Sequence, residues 1–238
     1  MTALSAAFTV LSYCAAGVFF GGLLFQLWGY ATTPSPLKIP VTPHPTTAAG
    51  VVKKNIIALA TFGSLFKGNR WTWIGGYAFH VILIFVFVRH LRLFINPVPP
   101  LLAEIQPVAL LGAMLLPLPL IYLWVRRKAV DRYDYISSPA DHFALALLLL
   151  IGLTGLALKF VAHSDVVRIK EFLLGLVMLS PVEIPAHPVF LCHFSLVLIL
   201  AIFFPFSKLL HAGGVFFTPT RVQVDNPRES RHINPWGN

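Results

Sequence analysis

Five apolar runs, each long enough to cross a bilayer, constrain this chain more than any other feature. They cover Leu4–Tyr30, Trp71–Ile95, Gln106–Val125, Asp141–Ala162 and Pro188–His211. A helix needs about 20 apolar residues to traverse the hydrocarbon core, and no long stretch of the chain alternates with the period of two that a strand requires. Composition agrees: 57% of the 238 residues are hydrophobic and 11% are charged, against about 25% charged in soluble domains. The fold class is therefore all-α membrane protein, a five-transmembrane-helix bundle. We expect the first run to be a span and not a signal peptide, because it has no basic leader, is too long, and is followed by no small-residue cleavage pattern.

A net charge of +9 raises the question of a nucleic-acid partner. The distribution of the charge argues against one. Thirteen of the 18 basic residues fall on one side of the five spans: Lys38, Lys53, Lys54, Lys67 and Arg70 in the first loop, Arg126, Arg127, Lys128 and Arg132 after the third span, and Lys208, Arg221, Arg228 and Arg231 at the end of the chain. Arg89, Arg92, Lys159, Arg168 and Lys170 occupy the other side. The positive-inside rule makes the first side cytoplasmic, so we expect the N-terminus outside (periplasmic) and the C-terminus inside. Trp28, Trp71, Trp73 and Trp124 then sit at the inner interface, where indoles settle.

The organisation is one membrane domain over residues 1–212 and a polar, proline-broken tail over 213–238, read as a docking segment. Thr32–Thr47 is proline-rich and expected to be extended. Asn96-Pro-Val-Pro-Pro makes a tight outer turn, and Pro117 with Pro119 kinks the third span. Asp165–Leu179 reads as an amphipathic helix lying on the outer surface, with Phe172, Leu173, Leu176 and Val177 as its apolar face. Cys14 and Cys192 lie inside spans as apolar fillers. No CxxCH attachment motif is present, so any haem is held by ligation and packing.

Nine histidines are many for such a chain. Four lie in two spans, His80 and His90 in the second, His193 and His211 in the fifth. Ionisable residues inside a membrane are costly and mark function by default; the bland alternative for any one of them is a hydrogen bond to a neighbouring helix. The two spans run antiparallel, which matches His80 with His211 towards the inner side and His90 with His193 towards the outer. Each pair offers two imidazoles to one iron, an arrangement suited to electron transfer. His193 and His211 are 18 residues apart, about five turns and 27 Å on one helical face, whereas His80 and His90 are separated by about 15 Å and roughly 80°. Spacing alone leaves the pairing open.

The stretches FHVILIFVFVRHLRLF and HFSLVLILAIFFPFSKLLHAGG, with the local motif Phe204-Pro205-Phe206-Ser207-Lys208, resemble the gamma subunits of respiratory nitrate reductase, five-span dihaem cytochromes b whose ligands share spacings of 10 and 18. The segments PSPLKIPVTPHPTT, SLFKGNRWTW, DRYDYISSPADH, LALKFVAHSD and FPFSKLLHAGGVFFTPTRVQVDNPRESRH further resemble one branch of that family, the M subunits of dissimilatory sulfur-redox (Dsr-type) membrane complexes. This likeness covers nearly the whole chain. It implies two b haems, a bacterial inner-membrane location and a quinone substrate. It also implies a cytoplasmic iron–sulfur partner of the heterodisulfide-reductase kind that acts on a sulfur-carrier protein. A larger form adds a periplasmic cytochrome c, a periplasmic iron–sulfur protein and a second membrane subunit. The chain has no lysine just after its second span, where the nitrate reductase quinol site is completed, so those quinone contacts do not carry over.

Arg89 and Arg92 flank His90 as candidate partners for haem propionates, against the reading of snorkelling to lipid phosphate. Arg70 and Lys208 are their inner counterparts. His163, Lys159 and Asp165 gather after the fourth span as a candidate quinone site, since quinone chemistry needs a proton-exchanging group and a carboxylate to orient it; an ordinary polar helix end is the alternative. Asp141 reads as the N-cap of the fourth span, and His142 as structural, packing near the inner haem. The alternative functions are a gamma-type subunit of another respiratory oxidoreductase and, from a different class, a haem-free transporter or scaffold. The transporter reading lacks the broken, repeated halves of that class. A pyridine haemochrome assay on the purified chain is expected to give two b haems, both leaving the protein in acid–acetone; haem retained covalently, or none at all, overturns the ligand reading.

Overall fold

Where each helix starts and stops follows from local chemistry. The computed structural model describes residues 1–33 and 43–226. Lys38, Arg228, Arg231, His232, most of the expected Pro-rich extended stretch and the end of the tail lie outside the described residues. The helices are α1 (Ala3–Thr32), α2 (Ala48–Thr61), α3 (Gly63–Gly68), α4 (Arg70–Leu91), α5 (Pro100–Glu104), α6 (Gln106–Leu115), α7 (Pro117–Ala129), α8 (Asp131–Tyr135), α9 (Pro139–Phe160), α10 (Val166–Val177), α11 (Pro188–Phe203), α12 (His211–Gly214) and α13 (Pro219–Val222). No strand occurs among the described residues. Among the described residues, five stretches are long and apolar enough to cross a membrane: Ala3–Thr32, Arg70–Leu91, Gln106–Ala129, Pro139–Phe160 and Pro188–Phe206. The chain is a multi-pass integral membrane protein. Side chains such as Leu24, Phe25 and Trp28 are exposed because lipid, not water, is their solvent.

The third span breaks at Leu116, between α6 and α7, because Pro117 and Pro119 bring no N–H to continue the ladder. The fourth span begins differently from the expectation. Ser138 is the N-cap, and Asp141 sits three residues into the helix, where its carboxylate accepts from the Ser138 N–H (2.9 Å) and hydroxyl (3.1 Å). Pro139 at the first helical position needs no donor partner, so the cap lies three residues upstream of Asp141. Arg127 lies 3.7 Å from the same buried carboxylate and ties the end of α7 to the start of α9.

The fifth span also departs from a regular helix reaching His211. It ends as α-helix at Phe203, then turns through two 3-10 segments, Phe204–Phe206 and Lys208–Leu210. Pro205 lacks an amide hydrogen and its ring would strike the carbonyl four residues back. The five-turn arithmetic from His193 to His211 therefore does not apply, because the rise and twist change at the FPFSK motif.

The described residues fall into two compact units, Met1–Phe19 with Ile74–Phe203, and the described part of Phe20–Trp73 with that from Phe204 to residue 226. In the first unit Ile169, Phe172 and Leu173 of α10 pack with Ile184, Phe190 and Phe194 into one buried cluster. Phe172 is 0% exposed and meets Phe194 edge-on with ring centroids 5.6 Å apart. The apolar face of α10 is thus covered by protein and not by lipid, and Val177, expected on that face, is exposed. Asp165 caps α10 by accepting from the N–H groups of Val167 and Arg168.

In the second unit Gly22 of α1 admits Pro205: a Cβ there would lie 2.8 Å from the proline ring. The tail up to residue 226 folds back on its own chain. The Arg221 carbonyl accepts from Asn55 (2.9 Å) and from His44 Nε2 (3.2 Å), and the Asp225 N–H donates to the Pro45 carbonyl. Trp73 donates its indole N–H to the Thr61 carbonyl, while Trp28 and Trp71 remain exposed as interface indoles do.

The start of α1 is pinned to the segment before α11. Glu183 accepts from the Ser5 hydroxyl and from the Thr2 hydroxyl and N–H, and Ser5 in turn accepts from the Ile184 N–H. These donors, Ser5 foremost, hold the Glu183 carboxyl down at about 2, below its ordinary 4.5. A depressed carboxylate contributes stability that is present above pH 4.5 and lost as pH falls through about 2. Thermal unfolding in detergent should therefore weaken over that acid window in the wild type. Glu183→Gln should lower the midpoint at neutral pH and flatten the acid dependence; an unchanged midpoint and profile would show the clasp to be inert.

Candidate functional site

An imidazole can ligate iron only through a nitrogen that carries a lone pair, so the first question at each histidine is where its proton sits. His80 and His90 lie on α4. Each has Nδ1 2.7 Å from the carbonyl four residues earlier, Gly76 and Val86 respectively. His211, at the start of α12, has Nδ1 2.7 Å from the Lys208 carbonyl. A carbonyl only accepts, so in all three rings the proton is on Nδ1 and the lone pair on Nε2.

His193, on α11, reaches the same state by another route. Its Nδ1 is 2.9 Å from the Thr154 hydroxyl of α9. That hydroxyl directs its single hydrogen at the carbonyls of Leu150 (2.8 Å) and Ile151 (3.1 Å). The ring also bonds the Ile151 carbonyl, which can only accept, so His193 presents an N–H towards α9. The ring lies against Gly155, where a Cβ would come within 3.3 Å of Cε1.

These four rings thus fit an iron-ligating role by tautomer. Metal-bound histidines commonly donate their second nitrogen to a carbonyl or similar acceptor, which fixes the ring and raises its basicity. The contrast with His142 is informative. There the Trp124 indole, which only donates, gives its hydrogen to His142 Nδ1 at 3.1 Å. His142 is therefore a donor through Nε2 and serves as a link between α7 and α9. His187 also uses Nδ1 as an acceptor, from the Val189 N–H. His163 shares the donor state through the Val161 carbonyl but is an exposed loop residue with left-handed backbone, φ 47°.

Arg89 is held within the protein. Its guanidinium donates to the backbone and side-chain oxygens of Gln106, which bridges the second and third spans. Arg92 is half-buried and makes no hydrogen bond or ion pair among the described residues. Arg70 lies over the Phe66 ring at 5.2 Å. Asp165 is engaged by the α10 cap and by Arg168 at 3.6 Å, Lys159 is exposed on the last turn of α9, and no hydrogen bond joins either to His163.

Residues 52–227 match the nitrate reductase gamma subunit family. The chain belongs to that family. It is also similar to two proteins described as Hdr-like menaquinol oxidoreductase cytochrome b-like subunits. The one from Archaeoglobus fulgidus is 33% identical over 272 residues, which cover 95% of this chain and 82% of the relative. The one from Archaeoglobus profundus is 29% identical over 276 residues, covering 96% and 82%. All four candidate ligands fall inside the family match. Thr154 and Gln106, by contrast, escaped the sequence reading. The signal for Thr154 was a lone hydroxyl between two glycines, Gly152-Leu-Thr-Gly155, in an otherwise apolar run.

Proposed function

We propose that this chain is the dihaem cytochrome b subunit of a quinone-linked membrane oxidoreductase, passing electrons between the quinone pool and a cytoplasmic iron–sulfur partner of the heterodisulfide-reductase kind in dissimilatory sulfur metabolism. The observation that carries the reading is the common tautomer of four histidines on the second and fifth spans, each with Nδ1–H committed and its lone pair on Nε2. The menaquinol oxidoreductase description of the relatives supports the quinone and the multi-subunit setting.

His80 and His211 would hold the inner haem, His90 and His193 the outer. A b haem with two imidazole ligands supplies one-electron exchange without an open position for oxygen. The chain's own part is to fix the rings, to keep water out of a low-dielectric sleeve and to place cations at the edge. Arg92 is the better candidate for an outer propionate, because Arg89 is already held by Gln106. The N-terminus is periplasmic and the C-terminus cytoplasmic in this reading, following the basic loops. The cytoplasmic partner docks on the first loop and the tail. The second nitrogen of His163 and the Lys159 ammonium, both exposed, remain the outer-side groups able to exchange a proton with quinone.

Two experiments test this. His80→Ala and His211→Ala should each remove one haem's redox signature, and His90→Ala and His193→Ala the other's; matching phenotypes for His80→Ala and His193→Ala would refute the pairing. Neutral substitutions at His163 and Lys159 should leave both haems in place and slow haem reduction by a quinol analogue. Unchanged quinol kinetics in both variants would move the quinone elsewhere.

A further inference from the structure

Three of the four rings donate to a carbonyl of their own chain three or four residues back, a contact that no side-chain substitution can remove. His193 alone among them bonds across to a different helix, where Nδ1 meets the Thr154 hydroxyl at 2.9 Å and the ring also bonds the Ile151 carbonyl. Its partner, Thr154, belongs to α9, a span that carries none of the four rings.

We propose that Thr154 is a positioning residue that sets the ring plane of His193 and the redox potential of the iron His193 would ligate. This inference rests on the haem reading above. The geometry gives two reasons. The first is orientation. An imidazole turns about its bond to Cβ, and two contacts stop it here: the Nδ1–H to Thr154 Oγ1 bond at 2.9 Å, and the Gly155 backbone, close enough that a Cβ would lie 3.3 Å from Cε1. Both come from consecutive residues of α9, so the Thr154–Gly155 step is a seat for one edge of the ring.

The second reason is electronic. The Thr154 hydroxyl has one hydrogen, and the Leu150 and Ile151 carbonyls take it. With its hydrogen on a carbonyl, the oxygen is polarised and accepts from His193. Acceptance of the Nδ1 hydrogen pushes electron density towards Nε2 and favours the more oxidised iron. A hydroxyl accepts less strongly than a peptide carbonyl, so the His193 iron should stand at a higher potential than a carbonyl partner would give it. Removal of the acceptor should raise it further.

The test compares Thr154→Val, which keeps the shape and loses the oxygen, with Thr154→Ser, which keeps the oxygen. Haem content, potentiometric titration and the low-spin EPR signal, whose anisotropy reports the angle between axial ring planes, are read in each. Thr154→Val should retain two haems, shift one potential upward and change one EPR signal, with the other haem unmoved; Thr154→Ser should restore both readouts. Loss of one haem in Thr154→Val that Thr154→Ser recovers supports the same role. Two haems with unaltered potentials and EPR in Thr154→Val overturn it, as does equal loss in both variants, which would assign Thr154 to packing. Absence of haem from the wild-type chain refutes the haem reading itself, a result distinct from all of these.

Discussion

The hydrocarbon core contains no water, so a polar hydrogen there must find an acceptor in the protein. At a histidine the acceptor decides which ring nitrogen keeps the lone pair, and much of the arrangement depends on that choice. A helix offers an acceptor readily, because a carbonyl has a second lone pair after its backbone bond is made. His80 and His90 use the carbonyl one turn back. The ring is thereby held along the helix with Nε2 directed outward, before any cofactor is considered. His142 shows the reverse. An indole donor beside it takes the Nδ1 lone pair and makes the residue a strut between spans.

Prolines set the second constraint. The Phe204-Pro205-Phe206 turn ends α11 because Pro205 has no hydrogen to give. Ser207 then accepts from the Leu209 N–H and starts the next turn, whose Lys208 carbonyl receives the His211 proton. The motif thus does more than stop a helix. It re-aims the chain so that the carbonyl facing His211 lies three residues back and not four. Gly22 gives Pro205 the room it needs, since any side chain there would collide with it.

The architecture was legible in the sequence because bilayer thickness is a blunt ruler. Five apolar runs of the right length predict five spans, with ends off by a few residues where caps decide. Ser138 over Asp141 is such a case: the capping box reads only once Pro139 is placed at the first helical position. Less was legible where a side chain chooses between lipid and protein. The apolar face of α10 has the pattern of a surface helix, yet Phe172 is fully enclosed, because Ile184, Phe190 and Phe194 from the following segment close over it. Periodicity shows which face is apolar and is silent on what covers it. A related case is the histidine–lysine–aspartate group, whose Asp165 carboxylate bonds elsewhere. Proximity in sequence placed Asp165 beside His163, but the start of α10 had a stronger claim on the carboxylate, with two N–H groups in reach.

Thr154 marks the limit of pattern reading from the other side. Hydroxyls in membrane helices usually return their hydrogen to a carbonyl one turn back, and Thr154 does this. In isolation that is a satisfied and silent residue. It gains a role only because the returned hydrogen leaves an oxygen lone pair facing α11, at the height where His193 presents Nδ1–H. A valine would fill the same volume against the same helix and offer nothing to the imidazole. The selection of threonine at this point is therefore explained by the ring across from it and not by the packing of α9. A span that carries none of the four rings thus holds one edge of a ring on its neighbour.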